Sequence, residues 1–434
     1  MSYKVKNHTT LPELLIPASS PEVLQAAVRY GADAVYIGGE AFGLRAKAKN
    51  FSPEEMAQSI AYAHARGVKV YVTANILAHN YDLGGAREYF AFLRDMKPDA
   101  PDALIISDPG MFTICREVWP EAEIHISTQA NNTNYETYRF WWNLGAKRVV
   151  SARELSLAEL SQIRAKIPEE MEIESFVHGA MCISYSGRCL LSNFLTGRDA
   201  NRGACTHPCR WKYALMEETR PGEYFPVEEN ERGTFIFNSG DLCMIEHIPE
   251  LVRAGIDSFK IEGRMKTALY VATVARTYRM ALDDFAVSEE QYRSRMDWYR
   301  EQIAMCTFRK FTTGFFFGKP GPEAQIYDNS TYRSEAVYLG CIGEVTAEGA
   351  YLYQKNKFSV GDEIEIMKPD GKDVKARVTA IRARRKENGA PAGEDGDVPW
   401  TEVESCPHAG EYFRVTLDPA PETGDLLRRA GSRQ

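Results

Sequence analysis

The chain lacks any hydrophobic run long enough to cross a membrane, since no stretch of about 18 apolar residues occurs in it. Its first residues, MSYKVKNHTT, lack the apolar segment of a secretory signal. The chain has nine cysteines, an odd number that cannot all pair with one another. Together with the lack of an export signal, this number argues against a disulfide framework. These absences exclude a membrane-spanning or disulfide-rich secreted protein and predict a cytoplasmic one with no membrane partner.

Common catalytic and cofactor motifs are missing as well. The sequence has no HExxH and no GxSxG, which removes the familiar signatures of zinc peptidases and serine hydrolases. The first predicted strand runs into PASSPE, without the glycine-rich turn of a dinucleotide-binding fold. A thiol–imidazole pair of His178 with Cys182 or Cys189 is the peptidase arrangement that the sequence leaves open.

Basic residues are fewer than acidic residues: the chain has 52 Lys and Arg and 60 Asp and Glu, which gives a net charge of −8. Phosphate contacts need cations, so this balance argues against a nucleic-acid ligand unless the cations are clustered. Basic residues do cluster at 308–319, among phenylalanines, and at 372–386. Such segments suit single-stranded nucleic acid, although a core segment and a solvated strand edge are the alternative. The predicted RNA-binding residues are Arg309, Lys310, Lys375, Arg382, Arg384 and Arg385.

Short apolar runs alternate with helical patterns over the first 286 residues. The predicted strands are 13–18, 34–39, 69–75, 103–108, 123–128, 148–152, 172–178, 234–238 and 258–263. The predicted helices are 21–31, 53–66, 83–97, 109–118, 133–144, 155–166, 244–254 and 266–286. Runs buried on both faces indicate a parallel sheet, and about eight strand–helix units have the size of a (β/α)₈ barrel. The ninth strand is then an addition or part of an insertion, and a doubly wound sheet is the alternative.

The predicted organisation is an α/β, TIM-like barrel over 1–286 with two insertions, a Cys-rich loop at 179–211 and an acidic hairpin at 217–233. A helical and irregular connector follows at 287–334. From 335 to 434, short strands separated by glycines predict a small antiparallel β-barrel. Within that domain, 387–399 has the composition of a disordered loop.

The most informative stretch runs from 174 to 211, where four of the nine cysteines lie at spacings of seven, sixteen and four residues among glycines. Glycine lets a loop bend closely around a bound group, and thiolates are the ligands that iron–sulfur clusters need. The predicted ligands are Cys182, Cys189 and Cys205, with Cys209 or Cys243 as the fourth. Zinc is the alternative metal, although the paired CxxC spacing of many zinc sites is absent. Four unrelated packing cysteines are the remaining interpretation.

Polar and charged residues cluster where the predicted strands end, which is where active sites of (β/α)₈ barrels lie. Asp108, which precedes Pro109, has a structural alternative as a helix cap. The predicted catalytic residues are His178, Glu174, Asp108 and Glu262. The predicted substrate-binding residues are Arg45, Gln129, Asn131, Arg153, Arg188, Arg264 and Lys266.

The cysteine-containing stretch resembles the signature of peptidase family U32 in its residues Glu174, Phe176, Gly179, Cys182, Gly187, Cys189 and Ser192. The similarity continues through ELLIPASS, GADAVYIGG, SDPG and STQANNTN upstream, and through NSGDLCMIEHIPEL, SFKIEGRMK and KNKFSVGDEIEIM downstream. It covers most of the chain and is greatest to the family's bacterial tRNA hydroxylation proteins. The resemblance implies a [4Fe–4S] protein that takes part in forming 5-hydroxyuridine at the tRNA wobble position, independently of O₂, with prephenate as co-substrate.

The resemblance also bears on ligands, substrate and partners. Cys209 resembles a cysteine of the tRNA-hydroxylating relatives, and Cys243 resembles one used by relatives in anaerobic quinone hydroxylation, so the fourth ligand stays open. Prephenate carries two carboxylates, which arginines such as Arg45, Arg153, Arg188 and Arg264 pair well. Electron-transfer or cluster-assembly proteins are further expected partners. Alternative functions are a collagenase-like protease of this family, a hydroxylase of a small molecule such as a quinone precursor, or a non-catalytic RNA-binding scaffold.

Overall fold

The computed structural model describes two successive barrels and the helices that join them. The described residues are 11–43, 50–182, 184–211, 214–215, 225–226, 238–306, 309–320, 325–326, 335–385, 398–407 and 409–430. The prediction of a TIM-like (β/α)₈ barrel followed by a small antiparallel β-barrel is confirmed. The predicted acidic hairpin at 217–233 and the loop at 387–399 lie mostly outside the described residues.

Eight parallel strands form the first barrel. The strands begin with β1 (Glu13–Pro17), β2 (Ala34–Gly38), β3 (Lys69–Ala74), β4 (Ala103–Ile106), β5 (Ile124–Ile126), β6 (Arg148–Val150) and β7 (Glu172–Ala180). The eighth barrel strand is β12 (Ser258–Ile261). Six short strands in the described ranges lie outside the ring: β8 (Ala214–Leu215), β9 (Phe225–Pro226), β10 (Asn238–Ser239), β11 (Asp241–Cys243), β13 (Phe311–Thr312) and β14 (Gln325–Ile326). Strand β12 pairs in parallel with both β1 and β7, which closes the ring of β1–β7 and β12. The ninth predicted strand, 234–238, contributes Asn238 to β10, which pairs with β14 outside that ring.

Helices connect the strands and surround the barrel. They are α1 (Pro21–Arg29), α2 (Pro53–His64), α3 (Leu83–Asp95), α4 (Pro109–Val118), α5 (Tyr135–Asn143), α6 (Leu157–Arg164), α7 (Leu191–Thr196), α8 (Ile248–Arg253), α9 (Ala268–Val287), α10 (Glu289–Ser294) and α11 (Met296–Ala304). Serine caps define several starts, and Ser52 with Glu55 forms a reciprocal capping box at α2. In the described ranges, no helix combines the length and the apolar composition that crossing a bilayer requires.

The barrel strands bury residues on both faces, as the continuous apolar runs predict. Successive side chains of a strand point to opposite faces, so Leu14 and Ile16 of β1 belong to the large core shared with the helices. Leu15 between them belongs to a smaller cluster with Tyr36 and Tyr71 from β2 and β3. Buried charged side chains also lie on these strands, among them Arg148, Glu174 and Lys260.

The second domain is a closed antiparallel barrel of six strands with one added strand. The strands of the domain are β15 (Ala336–Thr346), β16 (Gly349–Gln354), β17 (Phe358–Ser359), β18 (Glu363–Met367), β19 (Val374–Arg384), β20 (Trp400–Glu402), β21 (Ser405–Cys406), β22 (Tyr412–Asp418) and β23 (Leu426–Ala430). Of these, β17 and β21 pair with each other in a separate two-stranded sheet. The ring runs β18–β23–β15–β16–β22–β19 and closes through β18 and β19, while β20 extends β19. Because the ring is closed, most of its strands present no free edge.

Buried charged contacts join the two barrels. Arg276 of α9 donates to Asp373, and Arg428 of β23 donates to the same carboxylate at 2.8 Å. The Tyr30 hydroxyl, at the end of α1, donates to the carbonyl of Met367 at 2.7 Å. Buried charges with several partners are costly to separate, so the second barrel is held against α1 and α9 of the first.

Candidate functional site

A cavity of about 270 Å³ opens at the C-terminal end of the barrel strands. Strand residues from β2, β3, β4, β6, β7 and β12 form its base, and the Cys-rich loop forms one wall. This is the end of a (β/α)₈ barrel where catalytic groups collect. The predicted site residues that line the cavity are Gln129, Arg153, Glu262, Arg264, Lys266, Cys182, Cys189, Cys205 and Cys209.

The Cys-rich loop is fixed to the barrel by side chains of neighbouring loops. Asn131, in a left-handed conformation, donates to the carbonyl of Ser186 at 2.9 Å and accepts from Arg188 Nε at 2.6 Å. Asp82 accepts a two-pronged contact from Arg202, at 2.7 and 2.9 Å. The loop is therefore a folded wall, and Asn131, a predicted substrate ligand, holds that wall in place.

Gly179 explains how β7 passes into this loop. Its φ is +108°, and a Cβ there would lie 2.5 Å from the carbonyl oxygen of Glu262. A larger residue would push β7 away from the segment that carries Glu262 and Arg264. Glycine at this position keeps the two walls of the cavity together.

Four thiols share the cavity, and this donor set is chemically suited to an iron–sulfur cluster. Cys182 is exposed, and Cys189, Cys205 and Cys209 are partly buried. The backbone N–H of His207 donates to Cys205 Sγ at 3.4 Å. Among the described residues, no three His, Cys, Asp or Glu side chains are already gathered around a single metal-ion position.

Cys243 occupies a different place. It does not line the cavity, and β11 pairs it with His178 on the antiparallel extension of β7. Burial raises the pKa of the Cys243 thiol to about 12, although the Ile245 backbone and Tyr278 hydroxyl favour the thiolate. The surroundings keep Cys243 a neutral thiol, which separates it from the four cysteines at the cavity.

Cationic groups outnumber the single lining carboxylate among the described residues, Glu262. Buried Arg264 donates to Thr73 Oγ1 at 3.0 Å and to Asn50 Oδ1 at 2.9 Å. A Cβ at Gly38 would lie 2.6 Å from an Arg264 nitrogen, so glycine there makes room for the guanidinium. Three further cations line the same cavity: Arg153, Lys260 and Lys266. A surplus of cations in a partly enclosed space favours an anionic ligand.

Lys260 lies at the base of the cavity on an ionic network within the barrel. Its Nζ is 2.5 Å from Glu174 Oε1, and Arg148 Nη1 is 3.0 Å from the other oxygen of Glu174. Arg148 also contacts Glu13, which lies toward the opposite end of the barrel. Burial alone would raise the pKa of Glu174, but Lys260 and Arg148 outweigh it and hold that pKa below its ordinary value. Glu174 is thus an ionised partner of Lys260.

Of the four predicted catalytic residues, only Glu262 lines the cavity. The prediction for Glu174 is wrong in its placement, because this side chain is fully buried beneath Lys260. Asp108 caps α4 by accepting from the Met111 N–H at 3.0 Å, and it lines a neighbouring cavity. His178 packs among aromatic rings, with its centroid 5.6 Å from that of Tyr278.

The predicted substrate-binding set is divided in a similar way. Gln129, Arg153, Arg264 and Lys266 line the main cavity. Arg188 lines the neighbouring cavity of about 230 Å³ that also contains Asp108. Arg45 lies outside the described residues.

The predicted RNA-binding residues are less available than the sequence indicates. The prediction for Arg309 is wrong, because its guanidinium is buried and donates to Asp241 at 2.6 Å. Arg385 pairs with Glu411 at 2.6 Å and Arg382 with Glu402 at 3.5 Å. Arg384 lies over the ring of Trp400, with 4.7 Å between its Cζ and the ring centroid. Lys310 and Lys375 are exposed and stay predicted phosphate contacts.

Comparison with known proteins identifies related chains. The models for "Peptidase family U32" and "Peptidase family U32 C-terminal domain" match residues 19–326 and 335–428. The chain is 38% identical to "tRNA hydroxylation protein P1" of Bacillus subtilis, covering 97% of this chain and 95% of that one. It is 40% identical to "tRNA hydroxylation protein P" of Escherichia coli, covering 83% and 87%. A third relative, the Escherichia coli "23S rRNA 5-hydroxycytidine C2501 synthase", is 37% identical over 64% of this chain and 40% of its own.

Proposed function

This chain belongs to peptidase family U32, and on that premise we propose that it hydroxylates RNA, at C5 of the wobble uridine of tRNA. The observation that carries the proposal is one cavity at the barrel mouth lined by both four thiols and four cationic side chains. The relatives include proteins named for tRNA hydroxylation and rRNA 5-hydroxycytidine synthesis, which supports RNA as the substrate class. A peptidase activity has no such support from the cavity, because His178 does not line it beside the thiols.

In this proposal Cys182, Cys189, Cys205 and Cys209 hold a [4Fe–4S] cluster. Such a cluster, when bound, supplies one-electron chemistry that protein side chains lack. The alternative is a mononuclear zinc site, and measuring the zinc and iron content of the purified protein distinguishes the two. The cluster side of the cavity would face the base of the RNA. Replacing the C5–H bond of uridine by a C5–OH bond is a two-electron oxidation, so in the absence of O₂ prephenate is proposed to supply the hydroxyl oxygen and to be reduced by two electrons.

The cationic side of the cavity is proposed to bind a dicarboxylate co-substrate, prephenate. Arg153, Arg264 and Lys266 would pair its carboxylates near the mouth, with Lys260 beneath them at the base. Arginine binds carboxylates through two parallel hydrogen bonds, so the guanidinium groups would also set the orientation of the molecule. Glu262 is the carboxylate placed to hold or move a proton beside them.

The direct test is incubation of purified protein with unmodified tRNA and prephenate in the absence of O₂, followed by mass spectrometry of the nucleosides. We expect a uridine that gains the mass of one oxygen atom, and only when prephenate is present. A product on free quinone precursors but none on tRNA would replace the RNA proposal with a small-molecule hydroxylase. Release of peptides from gelatin without RNA hydroxylation would favour the protease instead.

Arg264→Ala is expected to abolish most hydroxylation while leaving iron content unchanged. Loss of a charge-assisted contact to a carboxylate costs about 2–3 kcal/mol, or roughly 30- to 150-fold in co-substrate affinity. The KM for prephenate should rise accordingly, and Arg264→Lys should restore only part of it because a lysine makes no two-pronged contact. Arg300→Ala, at an exposed arginine of α11, is the matched control. Equal KM values for Arg264→Ala and the control would place the carboxylates elsewhere.

His178→Phe is expected to hydroxylate RNA within about tenfold of the parent rate. Burial lowers the pKa of His178 to about 4, so the ring is neutral at pH 7 and packs with Tyr270, Tyr278 and Phe311. A phenylalanine preserves that packing, whereas loss of a general acid–base group costs roughly 10²- to 10⁴-fold. If His178→Phe has normal iron content and thermal stability but a rate that is roughly 10²- to 10⁴-fold lower, the prediction that His178 is catalytic would be supported.

A further inference from the structure

Several exposed apolar side chains lie on, or directly beside, the segments that line the cavity. Phe194 on α7 is 85% exposed and Tyr81 in the loop after β3 is 73% exposed. Tyr185, Leu190 and Met265 are exposed as well. Large aromatic side chains rarely remain in water in such a group unless they meet a partner. We refer to Tyr81, Tyr185, Leu190, Phe194 and Met265 as the apolar rim.

The apolar rim belongs to the same structure as the cavity. Tyr185 and Met265 themselves line the cavity, and Leu190 directly follows the lining residue Cys189. Tyr81 is fixed in place, because Arg202 lies 5.1 Å from its ring centroid and His79 stacks on it at 5.4 Å. Phe194 lies on α7, where the Ser192 hydroxyl is 3.0 Å from that of Thr206, a residue between the lining residues Cys205 and His207. The elements that carry the rim are therefore continuous with the cavity wall.

Charge at the rim favours an anionic partner. Arg188 and Arg198 are exposed on the Cys-rich loop that carries Leu190 and Phe194. The nearby carboxylates are engaged within the protein, since Asp82 pairs with Arg202 and Asp199 accepts from the backbone of Asn201. Arg188 and Arg198 can thus meet phosphates while the exposed rings meet bases.

We propose that the apolar rim binds an unpaired segment of RNA, with Phe194 and Tyr81 stacking on bases that neighbour the base entering the cavity. This inference rests on the proposed RNA hydroxylation. Unpaired bases present flat faces to aromatic side chains, whereas a duplex hides those faces within its own stack. A base buried within a loop or duplex must leave its stack to enter the cavity, and rings at the mouth would hold its neighbours apart.

The test measures binding of a labelled RNA hairpin with an unpaired, uridine-containing loop, by fluorescence anisotropy at several salt concentrations. A fully paired RNA of the same composition serves as the second probe. Phe194→Ala and Tyr81→Ala are each expected to weaken hairpin binding about tenfold at every salt concentration. Arg198→Ala should instead make the salt dependence shallower by roughly 0.7 in log–log slope, as loss of one phosphate contact does on single strands. Phe194→Trp should bind as the parent does.

Phe140→Ala is the matched control, because Phe140 is 55% exposed but lies on the outer helix α5. If Phe194→Ala and Tyr81→Ala bind the hairpin as tightly as Phe140→Ala, the proposed rim contact is wrong. A rim variant that keeps RNA affinity but changes the sedimentation of the protein would make the rim a contact between copies and overturn the proposal. If the rim variants also hydroxylate tRNA at the parent rate, the rim proposal is wrong but the proposed function is unaffected. Absence of tRNA hydroxylation in the parent protein would contradict the proposed function itself.

Discussion

Glu174→Gln is expected to lower the free energy of unfolding by about 3–5 kcal/mol, because it removes one member of a buried ion pair and leaves the other charged. Glu174 is fully buried, and Lys260 Nζ lies 2.5 Å from its carboxylate. Arg148 contacts the same carboxylate but has Glu13 and Glu172 as further partners. Lys260 would be left as the buried cation with the least compensation.

The pH dependence of stability gives this prediction a second measurement. The folded pKa of Glu174 lies below its ordinary value of 4.5, since the cations outweigh burial. A depressed folded pKa means that the unfolded state binds the proton more tightly. The stabilisation is therefore complete above pH 4.5 and is lost as the pH falls toward the folded pKa. We expect the difference in unfolding free energy between parent and Glu174→Gln to shrink over that acid range.

A double-mutant cycle separates the pair from its surroundings. Lys260→Met replaces the ammonium by a neutral chain of similar length and should raise the KM for prephenate while preserving iron content. The double variant should be more stable than the sum of the single effects predicts, because no unpaired charge remains. Chemical denaturation monitored by circular dichroism gives the values, with Glu289→Gln at an exposed salt bridge as the control. Additive effects would contradict the pairing of Glu174 with Lys260.

Much of the fold could be predicted because its signals are local. The run AVYIGG is apolar at every position, which only a strand covered on both faces tolerates, and it forms β2. Serine and proline at 52 and 53 mark the start of α2 as the structure has it. The structure divides the helix predicted at 244–254 into a 3₁₀ turn at Ile245–His247 and the helix α8. Pro249 is the second residue of α8. Strand β11 was missed because three residues are too few to show a periodicity.

The site could be predicted in part, because the ends of the strands and the spacing of the cysteines can be read from the amino-acid sequence. Arg264 and the four loop cysteines reach one cavity, as predicted. Lys260 was missed, although a lysine inside the apolar strand SFKI is itself a signal that a buried partner exists. The same reasoning identifies Glu174 as that partner rather than as a catalytic acid. Arg309 could not be assigned, since its partner Asp241 is distant along the chain.

Cys209→Ser is expected to remove the iron and all hydroxylation, whereas Cys243→Ser should retain both. Protein purified without O₂ should hold about four irons per chain and absorb in the visible range. Cys209 lines the cavity with Cys182, Cys189 and Cys205, but Cys243 does not line it and lies beside His178 and Tyr278. Iron and sulfide analysis together with the visible spectrum distinguishes the two variants. Cys115→Ser, at a buried cysteine within α4, is the control for loss of a thiol from the core.

The reverse result would change the site and not only the ligand assignment. If Cys243→Ser lost the cluster and Cys209→Ser kept it, the loop would have to move Cys182, Cys189 and Cys205 toward β11. The cluster would then lie next to His178 and Tyr278, and His178 would become a candidate contact of the reacting groups. Hydroxylation by Cys209→Ser at the parent rate would support that arrangement. A colourless parent protein with one tightly bound zinc would contradict both arrangements, since the cavity thiols would then hold a metal without redox chemistry.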